Sequence, residues 1–246
     1  MQQLNANLFP TQLEAIESKI QAIDPVKYSA TRNFHNGAVT RLSPYISRGV
    51  ISTKQVFEHI KMLNLEWEKV EKLVQELAWR DYWQLVWIEK RDGIFQDLKH
   101  QQQPISNYQI PEAIVNATTG ISAVDKAIKE LYETGYMHNH MRMYIASICC
   151  NIASSHWLEP AKWMYSHLLD GDVASNHLSW QWVSGAFANK KYVANQENIN
   201  KYFNSDQRQT FLDVDYEAFE SLKTPELLKN TQPLSVELAL PKNENI

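Results

Sequence analysis

Apolar and polar positions along this chain follow a helical period. No stretch keeps the two-residue alternation of a strand, and no segment repeats. Start and stop signals divide the pattern. Thr11 and Glu14 have capping-box spacing and open an expected helix to about Ile23, followed by an irregular polar stretch over 24–43. Ser43-Pro44 reads as a cap with proline at the first helical position, and Ser52 as the cap of a helix over 53–63. Asn64 opens the longest expected helix, 65–90, which holds no glycine or proline. Residues 91–119, rich in Gln, Asn and Pro, read as loop. Ser122 begins a helix closed by Gly135, and an apolar helix is expected over 136–153. Pro160 starts a helix that runs into Asp170-Gly171-Asp172, and 173–184 form another. The chain after 185 reads as irregular, with one short helix near 216–222, and its last ~15 residues are expected to fray. The expected class is all-α in a single domain over 1–246, with a core at 8–195 and a tail from 196.

Composition narrows the function. The chain has 246 residues, 44% hydrophobic and 21% charged, as in ordinary globular proteins. Eight tryptophans are an excess. Seven glycines and no GxGxxG or GxxxxGK loop leave a Rossmann or P-loop nucleotide site unsupported. A net charge of −4 does not advertise nucleic-acid binding, which would need a local basic face. Cys149 and Cys150 are neighbours in an apolar run with no second pair, so neither a zinc nor an iron–sulfur site is expected. With no disulfide framework, no 18-residue apolar stretch and no leader, the expected location is the cytoplasm, away from membranes.

Several constellations carry chemistry. Glu76, Trp79, Arg80 and Trp83 sit at i, i+3, i+4 and i+7 on one helix face. Spacing alone leaves open an ion pair between aromatics or a face turned to a ligand. Asn139, Arg142 and Met143 repeat the interval. Asp172 reads either as a helix N-cap or, with Asp170, as a DxD pair, although too few carboxylates lie near in sequence to favour magnesium. "HNH" at 138–140 matches a nuclease motif by letters only, because His138 and His140 point to different helix faces. "TRLSPY" at 40–45 offers an arginine, hydroxyls and backbone N–H groups suited to a phosphate.

Five blocks together resemble the FAD-binding helical domain of the DNA photolyase/cryptochrome family: "YSATRNF" (28–34), "TRLSPYISRGVIS" (40–52), "ELAWRDYWQ" (76–84), "GISAVDKAIKELYETGYMHNHMRM" (120–143) and "DGDVASNHLSWQW" (170–182). The resemblance covers about 8–195 and implies a helical domain gripping FAD, reduced and anionic when active. It implies that Tyr28, Thr40, Arg41, Leu42 and Ser43 lie around the diphosphate and ribityl chain, with Arg80 near the cofactor. Arg142 and Asp170 match an Arg–Asp pair beside the ring system, Asp172 a contact to its polar edge or to the ribityl chain, and Asn176 the residue facing flavin N5. A cation near the ring favours the anionic reduced state. Plant cryptochromes usually carry Asp at the N5 position, so Asn176 favours repair over signalling.

The same resemblance implies that Glu76 and Asn139 make polar contacts to the damaged bases, that Trp79 and Trp182 wall the lesion pocket, and that Met143 lines it further. The implied activity is light-driven splitting of cyclobutane pyrimidine dimers in DNA, a carbon–carbon lyase reaction on a flipped-out lesion. A cryptochrome-type photoreceptor and a (6-4) photolyase are the alternatives. Trp180 and Trp157 match the first two members of an electron relay. The third place falls near Pro104, with Tyr108 the nearest aromatic. Tyr136 stands where the family usually has Trp, and His140 where it has a DNA-contacting Arg. Arg32, Arg48, Lys54, Lys190 and Lys191 are the candidate phosphate contacts beside His140, a small set that favours single-stranded DNA. The usual N-terminal α/β domain has no counterpart in the sequence, so no antenna chromophore is expected.

Overall fold

Residues 8–235 are described by the structure, a computed structural model. In chain order the helices are α1 (Leu13–Gln21), α2 (Pro25–Thr31), α3 (Ser43–Ser47), α4 (Thr53–Met62), α5 (Trp67–Lys90), α6 (Glu112–Val115), α7 (Ser122–Thr134), α8 (Asn139–Ser147), α9 (Leu158–His167), α10 (Val173–Ser184) and α11 (Gln196–Phe203). A π-helical turn, Ile148–Ile152, continues α8. The fold is all-α, as the helical period implies. Among the described residues the named strands are a two-residue antiparallel pair, β1 (Ile110–Pro111) and β2 (Thr231–Gln232), with Ile110 opposite Gln232.

Local chemistry sets many helix ends. The Ser52 hydroxyl accepts from Gln55 N–H at 3.1 Å, and Gln55 Oε1 accepts from Ser52 N–H at 2.8 Å. This reciprocal box satisfies two donors that α4 would otherwise leave free. α7 and α10 stop at Gly135 (φ 71°) and Gly185 (φ 85°), left-handed positions that suit glycine. Other signals fail. The Thr11–Glu14 box does not form, and Gln12 precedes α1 with no side-chain cap. Ser43 is the first residue of α3 instead of its cap, and α9 starts at Leu158, two residues before Pro160. Residues 136–138 precede α8 as extended chain. α2, α6, α11 and a 3-10 turn at Arg91–Phe95 occupy segments expected as irregular or loop, α2 behind an Asp24 cap and Pro25 at its first position. The expected fraying at the C-terminus falls mostly on 236–246, outside the described residues.

Three apolar clusters hold the helices. The largest joins α7, α8, the π turn, α9 and α10. On α7, Val124, Ile128 and Leu131 are fully buried at i, i+4 and i+7. Burying each contributes roughly 1.5–3 kcal/mol, enough to fix a helix without a side-chain cap. Ile199, Leu212 and Leu228 enter the same cluster, so the chain beyond 195 is part of the core. The second cluster gathers Ile16, Leu42, Tyr45, Ile60 and Leu73 from the N-terminal helices and the first half of α5. The third packs Trp83 against Ala174, Leu178 and Phe187. α5, about 36 Å long, runs from the second cluster to the third and packs on α2, α4 and α10.

Candidate cofactor site and aromatic surface

The turn 169–172, between α9 and α10, collects the charged groups. Arg142, on α8, places Nη2 2.9 Å from each oxygen of Asp170, and its Nε donates to Met137 O at 2.9 Å. Asp170 is 7% exposed. Two residues on, Asp172 divides its carboxylate: Oδ1 caps α10 by accepting from Ser175 N–H at 2.7 Å, while Oδ2 accepts from Gln84 Nε2 at 2.7 Å and lies 3.4 Å from Arg80 Nη2. Asp172 is therefore both N-cap and ion-pair partner. Arg48 braces the same turn from outside, donating to Leu169 O at 3.2 Å and Gly171 O at 3.4 Å. Among the described residues, no group of three His, Cys, Asp or Glu side chains is gathered to hold a metal ion.

Glu76 and Arg80, one turn apart, do not pair. Arg80 reaches Asp172, and Glu76 Oε1 lies 3.8 Å from Arg32 Nε. The Glu76 side chain keeps 44% of its surface, yet its carboxyl end lies deep enough that desolvation raises its pKa against the pull of Arg32 and Lys72. The Arg32 guanidinium also lies 6.0 Å from the Tyr28 ring centre and donates to Ser29 O at 3.0 Å. Burial, then the Glu76 charge, pushes the Tyr28 phenol well up.

Arg41 adds a further cation, its Cζ 5.8 Å from the ring centre of Tyr136. Burial raises the Tyr136 phenol, while Arg142 and Arg41 pull it down and Asp170 opposes them. Tyr136 thus ties Arg41 to the Arg142–Asp170 pair. Three observations there fit a polyanionic ligand. Arg41 Nε and Ser175 Oγ are buried without a hydrogen-bond partner, a state that costs about 1–3 kcal/mol per atom. Arg41 also holds φ at 53°, a left-handed conformation uncommon outside glycine. Beside them Thr40 and Ser43 are half-buried. Leu42 is 1% exposed within the second core cluster, so it has only backbone to offer a ligand. Asn176 donates from Nδ2 to Ala161 O at 2.9 Å.

The residues expected at DNA divide into exposed and buried sets. Trp79 and Trp182 keep 49% and 39% of their surface. Trp79 stacks on Trp83 at 5.2 Å, and Trp182 lies 6.0 Å from Tyr192. Asn139 is exposed at the start of α8, and Met143 packs against the largest cluster. Lys54, Lys190 and Lys191 are exposed. His140, expected at a phosphate, is 8% exposed: its Nδ1 lies 3.1 Å from Asn33 O, its Nε2 3.3 Å from Tyr192 OH, and the rings of Tyr144 and Tyr202 pack on it. With both ring nitrogens engaged, it is not placed to touch a phosphate. Trp157 and Trp180 are 0% and 2% exposed in one cluster. Sequence reasoning missed Gln84 as a partner of Asp172 and Arg48 as a brace. No local signal marks either, because both partners lie more than eighty residues away.

An all-helical domain that draws three arginines, two aspartates and orphaned buried polar atoms to the junction of its core clusters defines a helical binding domain for an anionic ligand. The family model described as the FAD binding domain of DNA photolyase matches residues 73–219, more than half of the chain, and the chain belongs to that family. It is 33% identical to a deoxyribodipyrimidine photo-lyase of Streptomyces griseus, over 60% of this chain and 32% of that protein. It is 30% identical to cryptochrome DASH of Danio rerio, over 72% of this chain and 34% of the other. The fold superposes on the Synechocystis sp. PCC6803 cryptochrome with a TM-score of 0.70 at 24% identity, covering 79% of this chain and 44% of that one. A bacterial class III photolyase from Agrobacterium tumefaciens gives 0.62 at 21%, covering 85% and 53%. The chain spans less than half the length of these curated relatives.

Proposed function

We propose that this chain binds FAD and, under light, splits cyclobutane pyrimidine dimers in DNA. The observation that carries the reading is the linked set Arg41–Tyr136–Arg142–Asp170, with Arg41 Nε buried and unpartnered. Arg41, with Thr40, Ser43, Tyr28 and the Leu42 backbone, holds the diphosphate and ribityl chain. Arg142 offers positive charge beside the ring system, and Asp170 fixes its guanidinium. Asp172, oriented by Gln84 and Arg80, contacts the ring's polar edge. Asn176 is anchored through Nδ2, so its oxygen is the end offered to the ring. Bound FAD, reduced and anionic, supplies light-driven electron transfer; the residues supply position, charge and exclusion of water.

For the lesion, the exposed rings of Trp79 and Trp182 provide stacking surfaces. Glu76 and Asn139 provide polar contacts to the damaged bases, and Met143 an apolar one. The raised Glu76 pKa suits a carboxyl that donates a hydrogen bond to a base carbonyl. We further propose that the chain works as a single FAD-binding unit, its segment beyond 195 included.

The DNA form follows from the cations left free. Arg32 is held by Ser29 O and Glu76, Arg48 by the 169–172 turn, and His140 is buried. Of the expected phosphate contacts, that leaves Lys54, Lys190 and Lys191. Few ion pairs give weak backbone grip and a shallow salt dependence. Extracting a dimer from a duplex costs a few kcal/mol and much less from a single strand, where stacking serves equally well. The expected substrate is therefore a dimer in single-stranded DNA. The relatives called cryptochrome DASH support a second reading, a flavin photoreceptor without repair activity. One assay separates them: blue-light repair of a defined thymine dimer in matched single- and double-stranded oligonucleotides, with a dark control. Light-dependent repair, faster on the single strand, is expected. No repair of either favours the photoreceptor, and equal or faster duplex repair removes the strand preference.

A further inference from the structure

Beyond α10 the chain turns back on itself, and one side chain closes the turn. Gly185, at φ 85°, ends the helix, and the chain runs through Lys190 and Lys191 before Tyr192 N–H returns to Val183 O at 3.0 Å. Asn151, in the π turn that continues α8, reaches both limbs at this neck. Its Nδ2 donates to Val183 O at 3.0 Å and to Tyr192 O at 2.8 Å. Its Oδ1 is buried with no hydrogen-bond partner. An unpaired buried acceptor is unfavourable, so the amide is held by its donor end alone. The π turn, with Ala153 N–H bonded five residues back to Ile148 O at 2.8 Å, shifts position 151 off the regular repeat of α8. The outgoing limb of the loop is pinned separately. Ala186 O accepts from Lys99 and His100 N–H at 3.0 Å each, and Phe187 N–H donates to Gln181 O at 3.0 Å. The returning limb, 188–191, instead borders an open cavity of about 250 Å³ faced by His100, Gln101 and Gln103, and bridges it through Asn189 Oδ1, 3.0 Å from His100 Nε2. Lys190 and Lys191 are exposed on this limb. Tyr192, just past them, lies 6.0 Å from Trp182, with its hydroxyl 3.3 Å from His140 Nε2.

We propose that Asn151 is a positioning residue for DNA: by tying the two limbs together it sets Lys190 and Lys191 against the strand's phosphates and holds Tyr192 beside the Trp182 wall. The inference rests on the DNA reading above, in which these lysines are two of the three cations left to grip the backbone. Asn151 acts one step back from the strand, through the loop backbone it bonds. Two lysines on a pinned limb present their charges at a fixed spacing. On a loose limb they spread over many positions, and each phosphate contact must then order the limb as well. The tie thus raises affinity without adding a contact to the DNA. Trp182 precedes the tied Val183, and Tyr192 ends the loop, so the same tie couples the stacking wall to the lysines.

The test uses the FAD-loaded full chain and a single-stranded oligonucleotide carrying one thymine dimer. The variants are Asn151→Leu, Asn151→Ser and the pair Lys190→Ala/Lys191→Ala. Leu matches Asn in size and donates nothing, and Ser keeps one donor on a shorter arm. Asn151→Leu is expected to raise KM for the strand about tenfold, and Asn151→Ser less, with kcat at saturating strand and FAD affinity retained. The lysine pair is expected to lower the slope of log affinity against log salt by about 1.4, roughly 0.7 for each contact to a single strand. Asn151→Leu is expected to lower it in the same direction. Added to the lysine pair, Asn151→Leu is expected to weaken binding by less than about twofold more, because the charges it positions are gone. A readout free of DNA is hydrogen exchange at the Tyr192 amide, expected about tenfold faster in Asn151→Leu. Additive losses, an unchanged KM in both Asn151 variants, or Tyr192 exchange as slow as in the wild type overturns the proposal. So does a fall in kcat or FAD affinity equal to the loss of strand affinity, which marks a general structural defect. A wild type that binds no strand, or a lysine pair variant that binds as tightly as the wild type, overturns the DNA reading and this role with it. Strand affinity that depends on the lysines and is indifferent to Asn151 overturns this role alone.

Discussion

Asp172 was readable as a helix cap from its place before an apolar run, because capping is local. Its second role was not, since Gln84 and Arg80 reach it from a helix nearly ninety residues earlier. The i, i+4 spacing of Glu76 and Arg80 suggested a pair, and tertiary partners took both. The Arg142–Asp170 contact was visible only through family resemblance, as no local rule joins residues 28 apart. Histidine burial at 138–140 has a measurable consequence. Desolvation, with His140, His35 and Arg142 nearby, pushes His138 down to about 4 from 6.5. The unfolded chain then binds a proton between those values that the folded chain refuses. Stability is full above about pH 6.5, falls as pH drops, and has lost up to about 3 kcal/mol from this residue by pH 4. Burial pushes His140, His167 and His177 the same way. His138→Asn keeps a capping side chain and removes one titration. Urea unfolding at about pH 7 and about pH 4 is expected to show a pH loss smaller by about 2 kcal/mol than in the wild type. An unchanged loss would mean that His138 titrates normally.

Elements with strong terminal chemistry were legible: α4 behind Ser52, α7 before Gly135, α10 between Asp172 and Gly185. Others were missed despite it: Asp24 caps α2 and Asn195 caps α11, yet both helices lie in segments that read as irregular. α11 is mostly Gln, Asn, Lys and Glu, and one fully buried apolar side chain, Ile199, ties it to the core. The π turn at 148–152 lies inside an apolar run whose composition suits an ordinary helix equally well. The Ser52–Gln55 box gives a test at this scale. Ser52→Ala removes the hydroxyl that accepts from Gln55 N–H and is expected to cost about 1 kcal/mol in thermal or urea unfolding. Gln55→Ala should cost less, because Ser52 N–H is exposed and water can replace the lost acceptor. A larger loss in Gln55→Ala would reverse the assigned importance of the two halves.

At the scale of the molecule, helical class and order were readable, and the convergence of three clusters on one turn was not. The helical period says which face of α5 is apolar, and it leaves open that the first half joins α1–α4 while the second half meets α10. That division brings Arg41, Arg142 and the 169–172 turn together. The central claim is that this junction is a flavin cradle. Its most direct measurement is titration of FAD into flavin-free protein, followed by tryptophan and flavin fluorescence, for the wild type and Arg142→Ala. The account expects saturable one-to-one binding in the wild type. It expects a loss of about 10–100-fold in Arg142→Ala, equal to ~1.4–2.8 kcal/mol, with the fold retained by circular dichroism. No saturable binding by the wild type, or equal affinity in a folded Arg142→Ala, would contradict it.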